Sequence, residues 1–166
     1  ANSGTDTSSS GTISAAMEAN RYGWKAVALS LNHPTSYPSK ADNWPYELAA
    51  EKAMSIIEHV LNQGIPKGTM INVNFPNVLK AEDIKGVRMT QQGTSSWDDG
   101  YKVKKRFDNG NIRVQLYGSK KISDKELCYD GYAVAQGWIT ITPLQAYCNA
   151  PKCDREVIQS WSVFTS

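Results

Sequence analysis

Asn2-Ser3-Gly4-Thr5-Asp6-Thr7-Ser8-Ser9-Ser10-Gly11-Thr12-Ile13-Ser14-Ala15-Ala16-Met17-Glu18-Ala19-Asn20-Arg21-Tyr22-Gly23 is the stretch that decides the fold. Its first half is so rich in Gly, Ser, Thr and Asp that it reads as a loop with no packed core of its own. From Thr12 onward the residues favour a helix. Ile13, Ala16, Met17 and Asn20 recur at helical spacing, and Gly23 stands where a chain leaving a helix needs a glycine. A loop feeding a helix start is a phosphate cradle in the making, because the first N–H groups lack intrahelical partners and the peptide dipoles add partial positive charge there. Gly11 lets the backbone approach a ligand, while Ser9, Ser10 and Thr12 bring hydroxyls to the same point. An ordinary N-cap is the competing reading, and on the loop alone it is the stronger one.

Beyond the helix, Ala26-Val27-Ala28-Leu29-Ser30-Leu31 is continuously apolar but for Ser30 and ends at Asn32-His33-Pro34, which predicts a short buried strand. A polar connector from Asn32 to Asn43 leads to a second helix, from near Pro45 to about Asn62, with Gly64 and Pro66 as stop signals. Leu48, Ala49, Lys52, Met54, Ile56, Ile57, Val60 and Leu61 give it a broad stripe expected to bury against a sheet. Met70-Ile71-Asn72-Val73-Asn74-Phe75 alternates like a half-buried strand. From Lys85 the pattern turns to β. Val87 to Thr90, Tyr101 to Val103 and Ile112 to Tyr117 alternate, and Asp108-Asn109-Gly110-Asn111 is a hairpin turn. Tyr132 to Ala135 and Trp138 to Thr142 add two more strand signals, and Asp154 to about Phe164 reads as a terminal amphipathic helix. Helix and strand in alternation give an α/β fold, with a core part over residues 1–84 and a β-rich hairpin region over 85–166 that returns to the core.

With 166 residues, 40% of them hydrophobic, the chain can bury one good core. A net charge of +2, from 18 basic and 16 acidic residues interspersed, is no footprint for a nucleic-acid duplex. The run Lys102 to Arg106 reads as a solvated strand face. No apolar stretch reaches membrane-spanning length, so no membrane partner is expected. Cys128, Cys148 and Cys153 are odd in number, which favours free thiols and a cytoplasmic setting over a disulfide framework. His59 falls inside the second helix pattern and reads as a structural histidine, whereas His33, before Pro34, fits either a site or the surface.

Four segments together resemble the SurE family of survival proteins, metal-dependent nucleoside-monophosphate phosphatases. They are Asn2-Ser3-Gly4-Thr5-Asp6 leading into Ser10 to Glu18; Ala26 to Leu31; Ile71 to Pro76 followed by Ile84 to Thr90; and Gly137 to Leu144. In order and spacing they cover nearly the whole chain. The resemblance implies a Rossmann-like three-layer core with a β-hairpin-rich extension, a divalent metal (Mg or Mn) at the carboxyl ends of the strands, and a homodimer or homotetramer. It implies metal ligands that are an Asp-Asp pair, a Ser and an Asn of a Gly-Ile-Asn turn. The Asp-Asp pair and the Ser have no counterpart here, and the ligand Asn would precede Ala1, so this chain is expected to begin partway through the family core and not to assemble the metal centre alone. Ser9 stands where the family has Tyr, Phe107-Asp108-Asn109-Gly110 where it has Asp-Pro-Arg-Gly, and Gln145-Ala146-Tyr147-Cys148 where it has an Asp-containing ending.

Two functions remain in view. One is a phosphomonoesterase hydrolysing nucleoside 5′- and 3′-monophosphates, with the phosphate gripped by Asn2, Ser10, Gly11 and Thr12. Its catalytic residues are unassigned, and Asn2 is the single possible metal contact. The other is a phosphate- or nucleotide-binding and oligomerisation module without catalysis.

Overall fold

The computed structural model describes residues 1–33, 36–37 (backbone only) and 44–145. Among these, four strands form a mixed sheet in the order β1-β3-β7-β4: β1 (Val27–Leu31), β3 (Thr69–Phe75), β7 (Ile139–Gln145) and β4 (Val87–Met89). β1 runs parallel to β3, β3 antiparallel to β7, and β7 parallel to β4. Helix α1 (Gly11–Arg21) covers one face, where Ile13 and Ala16 pack with Ala26, Ala28, Met70 and Leu144. Helix α2 (Tyr46–Gln63) covers the other, where Ala53 packs with Leu31, Val73, Phe75 and Ile139. Helix, sheet, helix is the three-layer, Rossmann-like arrangement expected from the sequence.

A second sheet stands on this core. β5 (Ser96–Arg106) and β6 (Ile112–Lys121) form a long antiparallel hairpin, with the short β2 (Ser36–Tyr37) along the β6 edge. Its turn lies at the Asp108-to-Asn111 segment, where Gly110 adopts φ +84° and Phe107 N–H donates to Asn111 O at 2.9 Å. The Lys102-to-Arg106 run is exposed on β5, as a solvated strand face should be.

Several elements depart from their sequence patterns, each for a physical reason. Tyr132 to Ala135 is not a strand but part of a short helix, α3 (Asp130–Ala135). A run of four residues is too short for periodicity to separate the two, and here Ala133 and Val134 bury together at the turn into β7. β3 is not half-buried: Asn72 and Asn74 are 0% exposed, because the polar side of the strand is covered by residues 1–10 rather than by water. β1 is less buried than its apolar run suggests, with Leu29 37% exposed, since among the described residues it is an edge strand paired with β3 alone. The apolar stripe of α2 is narrower than expected. Ala49, Ala53 and Ile56 face the sheet, while Met54 and Leu61 are exposed and His59 lies on the exposed side rather than in the core. The expected terminal helix from Asp154 to Phe164, and Cys148 and Cys153, lie outside the described residues. Cys128 is an exposed free thiol.

Candidate functional site

The Ser-rich segment is not a loose loop. Gly4–Ser9 is a 3-10 turn, and Ser3, Gly4 and Thr7 are buried. Hydrogen bonds from distant parts of the chain replace the apolar packing that the composition cannot supply. At the carboxyl ends of β1 and β3, Asn2 N–H donates to Asn74 Oδ1 at 2.8 Å, and the side-chain amides of Asn72 and Asn74 donate to Asn2 O at 2.7 and 3.0 Å. The Asn2 side chain in turn donates to Ser30 Oγ at 2.6 Å. Gln92 Nε2 donates to Gly4 O and to Thr7 Oγ1, closing the loop from above the sheet.

Asp130, at the start of α3, is the hub of this network. Its fully buried carboxylate accepts from the backbone N–H groups of Gly4 (3.1 Å), Gly93 (3.0 Å) and Gly131 (2.7 Å), so that segments far apart in sequence converge on one side chain. Burial pushes its carboxyl above the ordinary aspartate range, while those backbone donors and the nearby Lys120 ammonium pull the other way. Gly4 sits at φ +63°, and a β-carbon there would collide with the Ser95 carbonyl, to which Thr5 N–H donates at 2.9 Å. Only glycine meets both demands.

The hairpin grips the loop from its outer side. Lys120 of β6 donates its ammonium to Ser3 Oγ, and Trp97 N–H of β5 donates to Asp6 Oδ1 at 3.2 Å. Burial lowers the Lys120 ammonium from its ordinary range, against the opposing pull of Asp6 and Asp130.

α1 begins directly after this pinned segment. Ser10 is its N-cap, its hydroxyl accepting from Ile13 N–H at 3.2 Å, and Ser14 N–H donates to Ser10 O at 2.9 Å. Helix geometry leaves the first-turn N–H groups of Gly11 and Thr12 without intrahelical partners, and nothing lies within 4 Å of where a Gly11 β-carbon would stand. Next to this end lies a cleft of about 490 Å³, lined by Asn2, Thr12, Ser30, His33, Tyr46 and hairpin residues that include Trp97 and Asp99. Of the four expected phosphate contacts, Asn2 and Thr12 line this cleft, Ser10 serves as the cap, and Gly11 lies open at the helix end. A second cavity, of about 550 Å³, lies near Trp24 and Lys67. It holds none of the loop residues, so its larger volume does not make it the site.

The structure adds Ser30, His33, Tyr46, Trp97 and Asp99 to the cleft, and Lys120 and Asp130 beneath it. Ser30, the lone polar residue in an apolar strand, carries a sequence signal that reading the run as continuously apolar passes over; Asp130 gives no local signal, because its partners lie up to 126 residues away. Burial lowers the His33 imidazole from its ordinary range, and its ring lies obliquely against Trp44 at 4.4 Å between ring centroids. Among the described residues, no three His, Cys, Asp or Glu side chains come together as a metal cluster. Among the described residues the cleft offers a divalent cation neutral oxygens, from Asn2 and Ser30, and the single carboxylate of Asp99, a donor set that does not fit Mg or Mn without further ligands.

Similarity to known proteins extends over most of this chain. The family model described as Survival protein SurE matches residues 1–99. A 5′-nucleotidase SurE of Chlorobium limicola is 36% identical over 143 residues, covering 86% of this chain and 52% of that protein. The 5′-nucleotidase SurE of Aquifex aeolicus is 33% identical over 144 residues, covering 86% and 53%. The chain therefore spans about half the length of the curated relatives it matches. The crystal structure of the SurE protein from Aquifex aeolicus superposes with a TM-score of 0.71 at 28% identity, over 100% of this chain and 62% of that one.

Proposed function

This chain belongs to the SurE family, and from that premise we propose that it carries the phosphate-binding side of a cytoplasmic phosphomonoesterase acting on nucleoside 5′- and 3′-monophosphates. The observation that carries the reading is the open start of α1 beside the cleft, where helix geometry leaves the Gly11 and Thr12 N–H groups without intrahelical partners, with Asn2 fixed on the strand ends. A phosphate dianion there meets oriented donors and the positive end of the helix dipole, and the Thr12 hydroxyl adds a further donor. Asn2, immobilised by Ser30, Asn72 and Asn74, holds its side of the cleft in one geometry, so little reorganisation accompanies binding.

The proposal includes Mg or Mn, which when bound would polarise the phosphoryl oxygens and supply a hydroxide nucleophile. The described residues do not furnish its ligand set, and no step is derived through it. It also includes a homodimer or homotetramer, supported by the apolar residues that the hairpin exposes, among them Tyr101, Val103, Ile112 and Val114.

The test is release of phosphate from 5′- and 3′-AMP by the complete gene product with Mg or Mn supplied. Thr12→Ala should raise KM or lower kcat about tenfold, through loss of a hydrogen bond to a charged group. Absence of metal-dependent turnover by the enzyme overturns the hydrolase reading, and phosphate binding without turnover supports the binding-module alternative.

A further inference from the structure

The inner face of the hairpin is built for something other than a phosphate. Trp97 and Asp99 of β5 share one face, and residues directly across an antiparallel ladder lie on the same side. Asp99 stands opposite Gly118, and Tyr101 opposite Leu116, so Trp97, Asp99 and Leu116 present one surface, and all three line the cleft with Asn2 and Thr12. Tyr46, at the start of α2 and 57% exposed as a residue, lines the cleft as well, and Leu116 is 47% exposed. Flat apolar side chains bordering a cleft beside a phosphate site suit a planar ring, which stacks on aromatic and aliphatic faces.

Asp99 decides which ring. Among the described residues its carboxylate accepts no hydrogen bond and forms no ion pair, whereas the adjacent Asp98 pairs with Lys121 at 2.7 Å. Among the described residues it is the sole acid of the cleft lining, and its carboxylate occupies the space that a β-carbon at Gly118 would fill. A carboxylate there repels the phosphate dianion, which directs that end of a ligand to the helix start and the other end to the hairpin. At that end it accepts hydrogen bonds and has none to give. The Watson–Crick edge of guanine offers adjacent N1–H and N2–H donors that match two carboxylate oxygens. Adenine and cytosine offer one exocyclic amine, and uracil places a carbonyl on either side of its N3–H. The cleft volume of about 490 Å³ lies within the range of small-ligand sites.

We propose that the hairpin wall formed by Trp97, Asp99 and Leu116, facing Tyr46, is a nucleobase subsite that favours bases bearing an amino group, guanine above all, with Asp99 as its specificity-determining residue. This rests on the phosphate being held at the start of α1, as proposed above.

The experiment is equilibrium titration of the protein with GMP, IMP, UMP and ribose 5-phosphate, repeated on Asp99→Asn. Asp99 is exposed, and the substitution keeps its shape. GMP should bind about tenfold tighter than UMP and about fivefold tighter than IMP, which lacks only the amine. In Asp99→Asn the GMP-to-UMP ratio should fall to within about twofold, while ribose 5-phosphate affinity stays within about twofold of the parent. Equal binding of GMP, IMP and UMP by the unsubstituted protein, or a ratio that survives in Asp99→Asn, overturns the base subsite and leaves the phosphate site standing. No binding of ribose 5-phosphate or of any nucleotide overturns both.

Discussion

The pinned loop over residues 1–10 and the β5–β6 hairpin are both poor in conventional core, yet they are held by opposite means. The loop has little regular structure, but its backbone is anchored by the buried side chains of Asn72, Asn74 and Asp130. The hairpin has an extensive ladder, but from Tyr101 to Arg106 its residues are exposed, and its tip contributes nothing to either hydrophobic cluster. Regular hydrogen bonding therefore does not decide what a lost bond costs in this molecule. Burial of the groups that make the bonds does, because a buried polar atom that loses its partner cannot turn to water instead.

Four substitutions break or sharpen that contrast. Gly4→Ala should be the most damaging, since a β-carbon strikes the Ser95 carbonyl and the residue must hold φ +63°. A loss of about 4 kcal/mol in urea unfolding is expected. Asp130→Ala strands the Gly4, Gly93 and Gly131 N–H groups and should cost about 3 kcal/mol by the same measurement. Asn74→Ala removes two hydrogen bonds to Asn2, one given and one accepted, and should cost about 2 kcal/mol while weakening phosphate binding. Gly110→Ala, at φ +84° in the open hairpin turn, should cost about 1 kcal/mol and leave phosphate binding unchanged. If the Gly110 and Gly4 substitutions proved equally costly, the contrast between the two regions would fail.

Asp130 also gives the contrast a pH signature. Its folded-state pKa is raised by burial, so the folded chain binds a proton more readily than the unfolded one. That contribution to stability is complete below the ordinary aspartate value of about 4 and is lost as pH rises through the raised folded value. Asp130→Asn removes this component. The stability of the unsubstituted chain minus that of the variant should therefore decrease from pH 4 toward pH 7.

Much of the core was legible because its signals are local. The helical spacing of Ile13, Ala16 and Met17, the apolar run before Asn32, the Pro45 and Gly64 boundaries and the Asn109-Gly110 turn each depend on neighbouring residues, and each element stands where its pattern put it. The site was legible only in its outline. Asn2 and Thr12 reach the cleft, but Ser10 is consumed as a cap, and Tyr46, Trp97 and Asp99 arrive from elements that no sequence spacing ties to the loop. Asn72 and Asn74 misled for a related reason: alternation in a strand reports that one face is polar, and the partner of that face here is a loop rather than solvent.

The bond from Gly4 N–H to Asp130 spans 126 positions, and those from Asn72 and Asn74 to Asn2 span 70 and 72. Contacts so distant along the chain close late, after the loops between them have already been gathered in. The segment synthesised early among these residues is thus among the last to find its place. The bond network around residues 2–4 cannot close until α3 has emerged and docked, which makes the candidate site a finishing step of folding rather than its seed.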